Sequence, residues 1–270
     1  MSRFLPKDTL PVLSFLPAGT TVEWLESTED CRESYLKRGG HPIYGEHDIV
    51  YSFNSLGYRS VDFGIRADLN VLAIGCSYVM GVGLRQQHLF HEVIAGQLGR
   101  STGKSVCVYN LGAPGASNDY IARVLHLAIP LLAPDLTLIH FTHGGRREYV
   151  SLNDRLLTYV PGFRPSDMVA RDIYKHLDAL SSPEDNDLNL FRNYKSIEAL
   201  LRDRKWLFSS INPEFDRIKA HINLTRYVGT LTWLDKARDG CHPGPSSHKD
   251  LAERYWARLA GGAADADIPR

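Results

Sequence analysis

Residues 69–84 read LNVLAIGCSYVMGVGL, and the fold turns on how they are read. LNVLAIG (69–75) is short, apolar and closed by glycine, the pattern of a buried strand. Ser77 follows Gly75 by two residues, flanked by Cys76 and Tyr78, with Gly81 and Gly83 close behind. A serine on so glycine-dense a turn stands at the carboxyl end of a strand. That is where open α/β sheets bind ligands.

Outward from this stretch the chain alternates. RQQHLFHEVIAGQLGRS (85–101) has helical apolar spacing, and SVCVYNLG (105–112) reads as a second strand. SNDYIARVLHLAIPLL (117–132) starts with an N-cap residue, Ser117, and an acid in its first turn, Asp119. PDLTLIHFTH (134–143) and KWLFSSIN (205–212) are further strands, and residues 246–259 read as a closing helix. Strand–helix alternation predicts right-handed βαβ units, a parallel sheet and an α/β fold. Residues 149–204 interrupt the alternation, with helices expected around 166–180 and 187–204 and the turn-prone SSPEDND (181–187) between them. They read as a helical insertion within a core domain of residues 69–270. Residues 1–68 are rich in Pro, Gly and aromatics, with a weak strand signal at DIVYSFNSLGYRS (48–60), and read as an N-terminal decoration on that core.

Composition narrows the function class. With 31 basic and 31 acidic residues in 270 the formal charge is zero, which gives no general attraction to nucleic acid or to an anionic membrane. Prolines at 6, 11 and 17 break the N-terminal stretch, which has no apolar core of a signal peptide, and no run is long enough for a membrane span. The expectation is a cytoplasmic protein. Its four cysteines (31, 76, 107 and 241) lack CxxC or metal-ligand spacing and are expected as free thiols. The histidines other than His242 form no metal-binding pattern. No metal or cofactor is expected, and the sequence does not set the oligomeric state.

Each strand end carries chemistry. After the second strand comes NLGAPGASN (110–118), after the third THGGRRE (142–148), and near the C-terminus DGCHPG (239–244). A serine hydroxyl needs a base to attack, and the base needs an orienting partner. Asp239 and His242 are three apart, so a tight turn can seat the carboxylate against the imidazole. The N–H groups of Ser77 and Gly115 are the natural donors to an oxyanion, because glycine lets backbone approach closely. Cys76 and Cys241 flank the serine and the histidine. A thiol nucleophile is conceivable, but both read better as small packing residues.

Together these segments resemble the SGNH hydrolase superfamily, the GDSL-type lipases and esterases. GCS (75–77) stands for its first block, NLGAPG (110–115) for its second, and DGCH (239–242) for its last. The resemblance covers roughly residues 69–260. It implies a flavodoxin-like three-layer α/β/α sandwich with a parallel sheet of about five strands. It further implies catalysis by Ser77, His242 and Asp239, with Ser77 and Gly115 in the oxyanion hole. The third block departs from the family. HFTHGGRRE (140–148) has no asparagine where the family supplies an oxyanion donor; relatives with a GCS first block carry Arg-x-Glu there, as Arg146 and Glu148 do. Asn118, Thr142 or His143 could replace the missing donor. Arg146, with His143 beside it, is a candidate substrate anchor for an anionic or polyhydroxylated group, or Arg146 is a structural partner of Glu148.

The expected activity is a serine esterase that removes a small acyl group from a sugar or natural product through an acyl-enzyme. An acyltransferase with the same triad is the alternative, and a catalytically degenerate glycan- or metabolite-binding domain is a further one.

Overall fold

In the computed structural model, residues 4–6, 8–13, 17–150, 156–163 and 168–261 are described. The expected N-terminal decoration, insertion and core domain therefore each fall partly outside the described residues. Five parallel strands form the central sheet: β3 (Leu69–Ile74), β4 (Val106–Asn110), β5 (Leu136–Phe141), β8 (Trp206–Ser210) and β9 (Tyr227–Thr230), in the order β4-β3-β5-β8-β9. Two short antiparallel pairs lie outside it, β1 (Thr21–Val22) with β2 (Tyr51–Ser52) and β6 (Arg147–Val150) with β7 (Leu156–Tyr159).

Strand residues alternate between two faces, and both faces are apolar. Leu72, Ile74, Ile139, Phe141 and Phe208 pack into one cluster with Ile121, Leu125, Tyr194 and Ile197. These come from α4 (Asn118–Leu132) and α6 (Pro183–Leu200). Val71, Ala73, Leu138, Leu207 and Val228 pack on the other side with Phe90, Ile94, Leu251 and Tyr255. These belong to α3 (Phe90–Thr102) and α8 (Pro245–Gly261). The result is three layers, with α4 against α6 on one face and α3 against α8 on the other. Each fully buried aliphatic or aromatic side chain in these layers contributes ~1.5–3 kcal/mol.

The strand order positions the site. From β3 the chain moves outward to β4, then crosses back over β3 to form β5. The crevice at the carboxyl ends of β3 and β5 is therefore a topological switch point, and Ser77 lies there as the first residue of the short helix α2 (Ser77–Met80).

Several elements differ from the sequence expectation. Edge strand β9 was not foreseen, because YVGT is short and carries a glycine. Of the turn-prone SSPEDND only Ser181 and Ser182 separate the helices: Ser182 caps α6 by accepting from Asp185 N–H at 3.1 Å, and Pro183 takes the first helical position. Ahead of the helices, Arg147–Val150 and Leu156–Tyr159 pair as the antiparallel strands β6 and β7, which the sequence does not predict. Helix α5 spans Met168–Leu180, and its expected first residues, 166 and 167, lie outside the described residues. No helix among the described residues is long and apolar enough to cross a membrane.

Candidate active site

The glycines of the opening stretch fit this backbone one by one. A Cβ on Gly75 would lie 2.8 Å from the His140 carbonyl oxygen, so only glycine lets β3 leave the sheet beside β5 here. Ser77 then opens α2, and its carbonyl accepts from the Gly81 N–H at 2.8 Å. Gly81 and Gly83 adopt left-handed φ of +83° and +73°. A Cβ on Gly83 would sit 3.0 Å from the Arg238 amide nitrogen and 3.1 Å from that of Asp239, and the Gly83 carbonyl accepts from Arg238 N–H at 2.9 Å. The serine loop and the aspartate loop are thus held backbone to backbone.

The aspartate loop is a closed turn. Ala237 N–H donates to the His242 carbonyl at 2.9 Å, and Gly240 turns at φ +74°. Asp239 is fully buried, and its Oδ1 accepts from the N–H groups of Cys241 and His242 at 3.0 Å each. Its Oδ2 takes the hydrogen bond from His242 Nδ1. Burial pushes this carboxyl up, but the His242 bond and charge and the two amides outweigh burial and hold it below its ordinary range. With Nδ1 facing a carboxylate, Nε2 presents its lone pair, and it lies 2.8 Å from Ser77 Oγ. Ser77, His242 and Asp239 are therefore brought into one hydrogen-bonded line. The Tyr78 ring packs edge-on against the His242 ring at 5.5 Å and against the half-exposed Trp233 at 6.0 Å.

Neither cysteine is the imidazole's partner. Cys76 is fully buried, and Cys241 is an exposed thiol pushed up chiefly by partial desolvation and the Asp239 charge.

The second loop lies against the serine helix. Asn110 donates to the Val79 carbonyl at 3.0 Å and accepts from Gly112 N–H at 2.9 Å. A Cβ on Gly112 would come within 2.2 Å of the Met80 amide nitrogen. Gly115 turns at φ +69°. Asn118, one of the expected replacements for the missing oxyanion donor, bonds the backbone of the third loop. Its Nδ2 donates to the carbonyls of Thr142 at 3.1 Å and His143 at 3.5 Å, and its Oδ1 accepts from Thr142 N–H at 2.9 Å. Asn118 thereby clamps the third loop to the second, and both it and Thr142 are occupied by that clamp. His143 is exposed, with Nδ1 2.6 Å from Asn212 Nδ2 and 3.7 Å from a Glu214 carboxylate oxygen. Glu148 is the partner of Arg123 and not of Arg146, bonding it through both carboxylate oxygens at 2.9 and 2.8 Å. Arg146 instead donates from Nη1 to the Ala116 carbonyl at 3.3 Å.

Three supports of the site that no motif announces involve N-terminal residues: Arg59, Asp30 and Tyr51. The buried Arg59 donates to the carbonyls of Gly81 at 2.6 Å, Leu84 at 2.8 Å and Val50 at 3.2 Å, fixing the exit of the serine loop. Asp30 and Arg238, both fully buried, form a two-point ion pair at 2.9 and 2.7 Å, one residue before Asp239. Tyr51 joins them, its hydroxyl bonded to Asp30 while accepting from Gly83 N–H at 2.7 Å. Asp30 is one acid among Glu26, Glu29, Arg32 and Glu33, so nothing local marks it, and the groups that Asp30 and Arg59 hold are remote in sequence.

No family model matches the sequence, and no curated protein matches it. Among solved structures the chain is similar to the psychrotrophic esterase EstA from Pseudoalteromonas sp., at 12% identity over 73% of this chain and 100% of that one, with a TM-score of 0.46. It is similar to TesA at 16% identity, over 71% of this chain and 98% of that one, with a TM-score of 0.47. A two-domain esterase active on acetylated mannans is similar at 13% identity, over 75% of this chain and 52% of that one, with a TM-score of 0.48. Five parallel strands between two helical layers are the architecture that the resemblance to the SGNH hydrolase superfamily implies for this chain.

Proposed function

We propose that this chain is a serine esterase, with Ser77 as nucleophile, His242 as general base and Asp239 as its orienting partner. The observation that carries the reading is the continuous line Ser77 Oγ, His242 Nε2, His242 Nδ1, Asp239 Oδ2. As Ser77 Oγ attacks the ester carbonyl, its proton passes to His242 Nε2. Asp239 stabilises the imidazolium and keeps the ring in its tautomer. Collapse of the tetrahedral intermediate expels the alcohol, which takes the proton back from His242. Water, activated by the same base, then cleaves the acyl-enzyme and frees Ser77.

Two backbone amides serve the oxyanion in this reading. Ser77 heads α2, and the first amides of a helix have no partner within it. Gly115 supplies the second from its left-handed turn. With Asn118 and Thr142 held in their clamp, no side-chain amide is assigned to the oxyanion.

The substrate proposed is an acyl ester of a small molecule or carbohydrate, the class named for the mannan esterase above. Hydrolysis of a 4-nitrophenyl acetate series, with products analysed with and without a sugar alcohol acceptor, tests the reading. Turnover lost in both Ser77→Ala and His242→Ala, with the acyl group released to water, is expected. Turnover that persists in Ser77→Ala overturns the esterase assignment, and transfer to the acceptor in preference to water replaces it with an acyltransferase.

A further inference from the structure

Among the described residues, Arg146 has no carboxylate partner. Its Nη1 bonds the carbonyl of Ala116, the residue after Gly115, so the guanidinium lies on the proposed oxyanion loop. Its Nε is buried and has no hydrogen-bond partner among the described residues. The carboxylates of the adjoining elements are held by other partners. Glu148 is held by Arg123, and Asp119 accepts from Glu148 N–H at 2.9 Å and Asn193 Nδ2 at 2.8 Å. Asp185 pairs with Arg147 at 2.7 Å, Asp187 with Arg217 at 2.6 Å, and Glu214 accepts from Gly144 N–H at 2.5 Å.

The contrast with its neighbours is the point. Arg123, Arg147 and Arg217 each hold a carboxylate, while Arg146 offers an unused, buried N–H. Its positive charge reaches Tyr78, whose ring lies on His242, and acts to lower that hydroxyl against the burial that raises it. Leaving a buried donor unmade costs free energy, and a guanidinium's planar fork fits a carboxylate or phosphate oxygen pair.

We propose that Arg146 receives an anionic oxygen group of the substrate, so that the preferred ester carries a carboxylate or phosphate close to the scissile carbonyl. This rests on the esterase reading and deepens it to a substrate class.

The test compares aryl esters in charged and neutral pairs. A 4-nitrophenyl hemisuccinate places the carboxylate on the acyl side, and 4-acetoxybenzoate places it on the leaving group; each is set against its methyl ester. Wild type is expected to favour one charged ester over its methyl ester by roughly 10- to 100-fold in kcat/KM. Which pair shows the preference tells the side on which the anion lies. Arg146→Ala abolishes the preference, Arg146→Lys keeps part of it, and Arg147→Ala retains it in full. A wild type with no preference, or a preference that survives in Arg146→Ala, overturns the proposal. Should wild type cleave none of these esters, the esterase reading fails, and anion binding decides the inference. Line broadening of succinate or inorganic phosphate in ligand-observed NMR, lost in Arg146→Ala, then supports the anion site, and absence of broadening in wild type overturns it.

Discussion

At Asp239 one carboxylate does two things, closing its own turn through two backbone amides and fixing the imidazole of His242. Asp239→Asn preserves the shape but favours the wrong tautomer, so kcat should fall by about 10⁴-fold with little change in Tm. Steady-state kinetics beside a thermal melt check both halves. Gly83 offers a subtler test. An alanine there must hold a left-handed φ of +73° and press on the amides of Arg238 and Asp239. Gly83→Ala is expected to lower kcat by roughly 100-fold through misplacement of Asp239, with the chain still folded, as circular dichroism would register. The residues of the line were legible because serine, aspartate and histidine stand on glycine-marked turns with short spacings. The orientation of Asn118 is not legible in the sequence, because it depends on which carbonyls face the side chain, and those belong to a loop some two dozen residues away.

At the scale of elements, the strands β3, β4, β5 and β8 and the helices α3, α4 and α8 could be read from apolar period and caps. Ser117, for instance, does accept from Tyr120 N–H at 3.1 Å. β9 escaped because an edge strand needs little apolar length, and the start of α6 escaped because Ser-Pro-Glu-Asp serves equally as turn and as N-cap. The larger gap was the N-terminal segment. Its contribution is two buried charges, Arg59 and Asp30, whose partners are a loop's carbonyls and an arginine about two hundred residues on. Removing Asp30 leaves the Arg238 guanidinium buried and uncompensated. Asp30→Ala should cost about 3–5 kcal/mol and lower activity as well, because Arg238 adjoins Asp239. Urea unfolding followed with an ester assay checks this. Unchanged activity at unchanged stability would show that the segment is dispensable to the site.

For the molecule as a whole, three buried histidines behind the site set the response to acid. His140 and His248 are pushed down to about 3, chiefly by burial, and His91 is lowered for the same first reason. His140 Nδ1 lies 2.7 Å from Ser209 Oγ, and His248 Nδ1 accepts from Phe90 N–H at 3.2 Å. In the unfolded chain each titrates near 6.5, so below that pH the unfolded state binds protons that the native state refuses. Their stability contribution is therefore full above pH ~6.5 and declines as pH falls toward 3, by up to ~1.4 kcal/mol per pH unit for each of His140 and His248, and His91 acts in the same direction. Urea midpoints between pH 7.5 and 4.5 check the sign, and a midpoint that rises on acidification would contradict it.

The serine's role can be read directly from the intact chain. Incubation with a fluorophosphonate, followed by peptide mass spectrometry, should place a single adduct on Ser77. Its rate of formation should fall by several orders of magnitude in His242→Ala. An unlabelled wild-type chain, or an adduct at a residue other than Ser77, would contradict a nucleophile at the end of β3.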